Sequence, residues 1–315
     1  MNQGDNTKNY NAGSMITKRL LIVGAGDVAE RALPLLLPRY RVHCLTRTAA
    51  RAEALSALGV HAFVADLDSL APQALPEADL ILHAAPPDTA GSGDLRTRAL
   101  LDALSGRPML ARRIVYISTS GVYGDCHGER VDESRPVNPD TDRARRRVDA
   151  EGQLQAWCAA RNVALVILRA PGIYGPGRFP IARLQKGMPV LERADDVYTN
   201  HIHAGDLAAI CVRALEDDAP PGVYNASDDS EILMGDWFDA VADRFALVRP
   251  PRIPRTAAES RISPAMLSFM NESRRLLNAR LKGELGCVLR FPTVQDGLRA
   301  ANAQRELAAS QKTVR

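Results

Sequence analysis

The chain has 315 residues, 46% of them apolar, enough to bury a large core as one α/β domain or as a domain with an appended lobe. A formal net charge of +3 gives no reason to invoke nucleic acid. No run approaches the ~18 apolar residues of a membrane helix, because Leu33 to Leu37 is interrupted by Pro34 and closed by Pro38 and Arg39.

Five cysteines (Cys44, Cys126, Cys158, Cys211 and Cys287) are scattered without C-x-x-C spacing, which argues against a zinc centre or a disulfide framework and fits a reducing cytoplasm. The first fifteen residues are polar and lack an apolar signal core, so residues 1–15 read as a disordered tail or, from Gly13-Ser14-Met15, a cloning remnant. The folded chain is expected from about Ile16.

Leu20 to Val23 is an apolar run that meets Gly24-Ala25-Gly26, and a helical pattern begins at Asp27 with Val28, Ala32, Leu35 and Leu36 for a buried face. This is a strand, a tight turn and a helix, with Ala29 completing a G-x-G-x-x-A fingerprint. A Cβ at Gly24 obstructs the sharp bend, and one at Gly26 holds a diphosphate away from the backbone. The N–H groups at the helix start, around Asp27 and Val28, then face the anion.

Arg41 to Thr46 reads as a second strand, followed by Arg47. An acidic residue at that place would bond the 2′-OH of NAD, whereas an arginine pairs with the 2′-phosphate of NADP, so NADP is favoured over NAD. A helix is expected over about Ala49 to Leu58, a third strand over Val60 to Val64, and then Asp66-Leu67, where Asp66 either reaches the adenine or caps the next segment. Asp79 to Ala85 is a largely apolar fourth strand ended by Pro86-Pro87. A helix over Leu95 to Leu104, a fifth strand over Arg113 to Ser118, a helix over Ala144 to Ala160 and a sixth strand over Ala164 to Leu168 complete the alternation of a doubly wound parallel α/β sheet. The basic run Arg143 to Arg147 is followed by Asp149 and Glu151 and has the composition of a solvated helix face.

Several phrases in this order resemble the extended and atypical short-chain dehydrogenase/reductases, the group that includes NAD-dependent nucleotide-sugar epimerases and dehydratases. They are His83-Ala84-Ala85, Ser118-Thr119-Ser120-Gly121-Val122-Tyr123-Gly124, Arg169-Ala170-Pro171-Gly172-Ile173-Tyr174-Gly175, Asn200 to Ala208, and Val223 to Asp228. The resemblance implies an NAD(P)-binding Rossmann domain over residues 16–173. Residues 174–315 are then mainly a smaller substrate lobe, with 201–228 returning to the sheet. It also implies a cofactor set of Gly24, Gly26, Asp27, Val28, Arg47, Asp66, Leu67, Ala84, Ala85, Pro86, Ser118, Arg147, Pro171 and Ile173.

In that group a Tyr and a Lys four residues later move the proton, and a Ser or Thr after the fifth strand holds the substrate oxygen. The Ser/Thr maps onto Thr119. Anchored on Glu151, the Lys position falls on Arg147 and the Tyr position on Arg143, and no tyrosine lies between Tyr123 and Tyr174. Thr119, Tyr123 and Arg147 are therefore the catalytic candidates, although Arg147 is too basic to exchange a proton and Tyr123 has an alternative reading as loop packing. Tyr174, His201 and His203 are further acid-base candidates, His203 with a second reading as a backbone partner at a helix start.

These features imply an oxidoreductase or epimerase-like enzyme passing hydride to or from a small, possibly nucleotide-linked, carbonyl or hydroxyl compound. The rival is a regulatory protein that binds NADP without turning it over. A homodimer through the helices near Leu95 to Leu104 and Ala144 to Ala160 also follows from the resemblance.

Overall fold

A computed structural model describes residues 18–71, 75–107, 109 and 111–306. The expectation for residues 1–15 lies outside the described residues. Seven strands form the central sheet: β1 (Arg19–Val23), β2 (Arg41–Thr46), β3 (His61–Val64), β4 (Leu80–His83), β5 (Arg113–Thr119), β6 (Ala164–Ala170) and β7 (Gly222–Asn225). Their spatial order is β7-β6-β5-β4-β1-β2-β3 and every pairing is parallel. The order reverses between β1 and β4, which opens a crevice at their carboxyl ends where ligands of open α/β sheets bind.

The inner strands β1, β4, β5 and β6 are mainly apolar on both faces because both are covered. In β1, Leu20 and Ile22 point into one core and Leu21 and Val23 into the other, as the two-residue strand period requires. The first core is closed by α1 (Asp27–Leu36) and by α5 (Ala204–Ala214), the second by α3 (Leu95–Ser105) and α4 (Asp142–Ala159). α2 (Ala49–Ser56) joins β2 to β3 and is capped by the Thr48 side chain. Helix α1 buries Val28, Ala29, Ala32, Leu33 and Leu36, whereas Leu35 is 49% exposed. The face expected to include Leu35 is therefore rotated: 28, 32 and 36 with 29 and 33 make a continuous stripe, and Leu35 lies beside the exposed Pro34.

A further core lies beyond the sheet. Tyr174, Phe179 and Leu184 pack there against α6 (Met234–Arg244) and α7 (Val294–Ala300) through Trp237, Phe238, Val241 and Leu298. His201–His203 runs parallel to Gly172–Tyr174 and ties this region to the end of β6. The segment after Asn278 packs Leu281, Leu285 and Cys287 onto the first core, and the Leu285 carbonyl accepts from Arg213. No helix among the described residues is long and apolar enough to cross a membrane.

Candidate functional site

The glycine turn lies at the crevice. Gly24 has φ +90°, and a Cβ built there would sit 2.4 Å from the Ala85 nitrogen, so the end of β4 packs directly on this residue. Gly26 differs: its φ is ordinary and a Cβ would meet nothing within 4 Å. The space above Gly26 is open, as the cradle of a diphosphate must be. Gly26 caps α1 without any side-chain acceptor, and Glu30 is the first residue to close the helical ladder, onto the Gly26 carbonyl at 2.9 Å. The N–H groups of the first turn thus point into the crevice.

Around this turn is a cavity of about 230 Å³, lined by Gly24, Gly26, Arg47, Asp66, Leu67, Ala84, Ala85, Pro86 and by Arg96. Arg47 is exposed and makes no hydrogen bond or ion pair with the described residues. Asp66 accepts from the Asp68 N–H at 3.1 Å, so it caps the segment while lining the cavity. Arg96 is committed to the Asp68 carboxylate at 2.6 and 2.7 Å. Arg51, which the sequence reading passed over, donates to the Ala25 carbonyl at 3.0 Å and braces the turn from beneath. Val28 is buried in the first core. Asp27 is paired with Arg31 at 2.8 Å and with Arg178 at 3.1 Å, and these guanidinium partners hold its carboxyl below the usual range against the opposing effect of burial.

A second cavity, of about 310 Å³, opens where β5 and β6 end. Thr119, Pro171 and Ile173 line it, as do Arg143, Tyr198, Glu272 and Arg274. The Thr119 oxygen accepts from the Gly121 N–H at 3.2 Å, which leaves the hydroxyl proton to donate. Tyr198 is the tyrosine of this cavity; nothing in its local sequence marks it, because its strand, Tyr198–Thr199, belongs to a two-stranded sheet beyond the seven-stranded one.

Several candidates are placed elsewhere. Tyr123 is 1% exposed, its hydroxyl donates to Asn225 Oδ1 at 2.8 Å, and burial raises its pKa. The catalytic expectation for Tyr123 is corrected: it packs under the loop, with the Arg169 guanidinium 4.8 Å above its ring. Arg147 turns inward, donating from Nη1 to the Tyr116 hydroxyl at 3.0 Å and the Ile117 carbonyl at 2.9 Å, and lines neither cavity. Its catalytic and cofactor assignments are corrected to support of the β5 end.

Ser118, expected at the cofactor, is 4% exposed and donates to Glu151 Oε1 at 2.5 Å. Glu151 also receives Arg169 Nη2 at 2.8 Å, in an ion pair almost fully removed from solvent. Tyr174 donates to the Thr293 carbonyl at 3.2 Å inside the outer core. His203 Nδ1 accepts from the Gly205 N–H at 3.1 Å, capping α5, and burial lowers its pKa to about 4. His201 is buried against Trp237 with ring centroids 4.4 Å apart, and burial lowers its pKa to about 3.

His83 shows how the end of β4 is held. The Thr97 hydroxyl gives its proton to Asp94 at 2.7 Å, so His83 Nε2, 2.9 Å from the same oxygen, must be the donor. Burial lowers the pKa of His83 to about 3, which keeps the ring neutral in this role.

The human dTDP-D-glucose 4,6-dehydratase is 27% identical over 160 residues, covering 42% of this chain and 46% of that protein. The chain thus spans about half the length of the curated relatives it matches. The solved structure of a functionally unknown conserved protein from Silicibacter pomeroyi superposes with a TM-score of 0.77 at 32% identity, over 92% of this chain and 100% of that one. UDP-glucose 4-epimerase from Thermus thermophilus, solved with NAD, shares the fold with a TM-score of 0.71 at 22% identity, over 93% and 99% of the two chains. The family model described as NAD dependent epimerase/dehydratase matches residues 21–227, from within β1 to just past β7, and the chain is a member of that family.

Proposed function

We propose that this chain is an NADP-preferring oxidoreductase of the epimerase/dehydratase type, acting on a small, possibly nucleotide-linked, carbonyl or hydroxyl compound in the second cavity. The observation that carries the reading is the pair of openings at the carboxyl ends of one parallel sheet, a glycine-floored one holding an unpaired arginine and another holding a free hydroxyl proton.

Gly24, Gly26 and the first turn of α1 would hold the diphosphate, and Arg47 the 2′-phosphate. When bound, the dinucleotide supplies the hydride donor or acceptor. Thr119 then orients the substrate oxygen by donating its hydroxyl proton. Tyr198 supplies the phenol that the family's usual position lacks, since Arg143 stands there and a guanidinium stays protonated. Pro171 and Ile173 form an apolar wall beside the nicotinamide site and exclude water from one side.

Calorimetric titration with NADP and NAD in parallel tests the cofactor half. Arg47→Glu should weaken NADP about 10–100-fold, the worth of one charge-assisted contact, with little change for NAD. Equal losses would remove Arg47 from the 2′-phosphate. Thr119→Ala tests the chemical half: it should lower turnover and leave NADP affinity unchanged.

A second reading is a protein that senses NADP without turnover, favoured by one observation. The positions that carry the family's Tyr and Lys are Arg143 and Arg147, and neither exchanges protons. Absence of turnover in wild type under conditions of tight NADP binding would establish it.

A further inference from the structure

Three guanidinium groups line the second cavity, and two of them are committed. Arg178 donates to Asp27 at 3.1 Å and to the Ile173 carbonyl at 3.3 Å. Arg274 donates to the Gly124 carbonyl at 2.6 Å and to Glu272 Oε2 at 2.9 Å. The third, Arg143, makes no hydrogen bond and no ion pair with the described residues. Its guanidinium lies 4.0 Å from the centroid of the Phe269 ring, so one plane is covered by an aromatic face while the edge carrying its N–H donors stays unused. Partial burial lowers its pKa, an effect offset in part by the charge of Glu272, and the side chain stays open to solvent.

The same cavity is also lined by an acceptor that has no donor. Glu272 is 6% exposed and lines the cavity, and while its Oε2 holds Arg274, its Oε1 is buried with no hydrogen-bond partner. A buried carboxylate oxygen without a donor is costly, and a ligand hydroxyl removes that cost. The cavity therefore presents an unengaged planar donor fork and an unengaged acceptor together with the Thr119 hydroxyl.

We infer that the substrate carries an anionic group, a carboxylate or a phosphoryl, beside its reacting carbon, bound by the Arg143 fork, and a hydroxyl that donates to Glu272. Arg143 thus replaces a proton-moving tyrosine with an anchor for charge. The inference rests on the second cavity being the substrate site, not on which dinucleotide binds.

The test is thermal unfolding of the full chain, free of dinucleotide and at constant ionic strength, with malonate, methyl phosphate and uncharged malonamide at millimolar concentration. Malonate, methyl phosphate or both should raise the melting temperature by about 2–5 °C, with no rise from malonamide. The rise should vanish in Arg143→Gln and persist in Arg145→Gln, whose side chain pairs with Asp142 on the same helix at 2.7 Å. Whichever anion gives the Arg143-dependent rise identifies the group as carboxylate or phosphoryl. A rise unchanged in Arg143→Gln would place the anion at the glycine turn and overturn the inference, as would no rise from either anion. An Arg143-dependent rise in a protein that fails to bind NADP would leave this inference standing and remove the cofactor reading instead.

Discussion

The first cavity takes its floor from backbone at the ends of four neighbouring strands, all between Gly24 and Arg96, whereas the second gathers side chains from separate segments between Thr119 and Arg274. Where backbone does the binding, a short local phrase such as Gly24-Ala25-Gly26 carries the site. Where side chains converge from distant segments, the scaffold beneath them has to be rigid, and here it is polar: Glu151, Arg169, Ser118, Tyr123 and Asn225 bond one another beneath β5, β6 and β7. The difference separates mutations that spare the fold from mutations that collapse it.

The sharpest break comes in the scaffold. Glu151→Ala leaves the Arg169 guanidinium buried without its partner and should cost ~3–5 kcal/mol by urea unfolding. A loss below about 1 kcal/mol would mean that the network does not support the second cavity.

The glycine turn sharpens the contrast within one motif. Gly24→Ala forces a Cβ to within 2.5 Å of the Ala85 backbone at positive φ, and should destabilise by ~2–4 kcal/mol. Gly26→Val meets only open space, so stability should fall by no more than ~1 kcal/mol while calorimetry shows dinucleotide binding abolished. If Gly26→Val retains affinity, the diphosphate does not lie on this turn.

The buried histidines give the fold a pH signature. His83 and His201 are held neutral down to about 3 and His203 down to about 4, whereas an unfolded imidazole takes a proton near 6.5. The unfolded chain then binds more protons, so stability falls as pH drops from about 6.5 to about 4, by on the order of 1 kcal/mol per pH unit for each ring. Asp228 acts in the opposite sense: burial raises its carboxyl from 3.8 to about 7, so between those values acidification favours the folded chain. Urea midpoints at pH 7, 6 and 5 should decline, and Asp228→Asn should steepen the decline.

Six of the sheet strands were legible within a residue or two, since each is a short apolar run bounded by glycine, proline or a polar turn. Helix α1 was legible in extent, but its buried face was misjudged at Leu35, because several adjacent leucines satisfy more than one helical stripe and only contact with β1 selects among them. Thr119 is marked by its place at the end of β5. Glu151, used to align the motif, has as its contacts Ser118 and Arg169, and no spacing rule reveals that a carboxylate is consumed inside a network. Tyr198, Glu272 and Arg274 carry no local signal, as they reach the cavity from the chain beyond β6.

The amino-acid sequence by itself determined the strand-helix alternation, the glycine turn and the loss of the usual Tyr and Lys, because these depend on backbone conformations and on residue types a few positions apart. Only the tertiary structure decided which tyrosine faces the cavity, which arginines are spent on internal partners, and that Arg143 remains unpaired over Phe269 in a cavity that Glu272 also lines. A side chain's chemistry is set by the partners it meets and the water it loses, and for these residues every such partner lies far away along the chain.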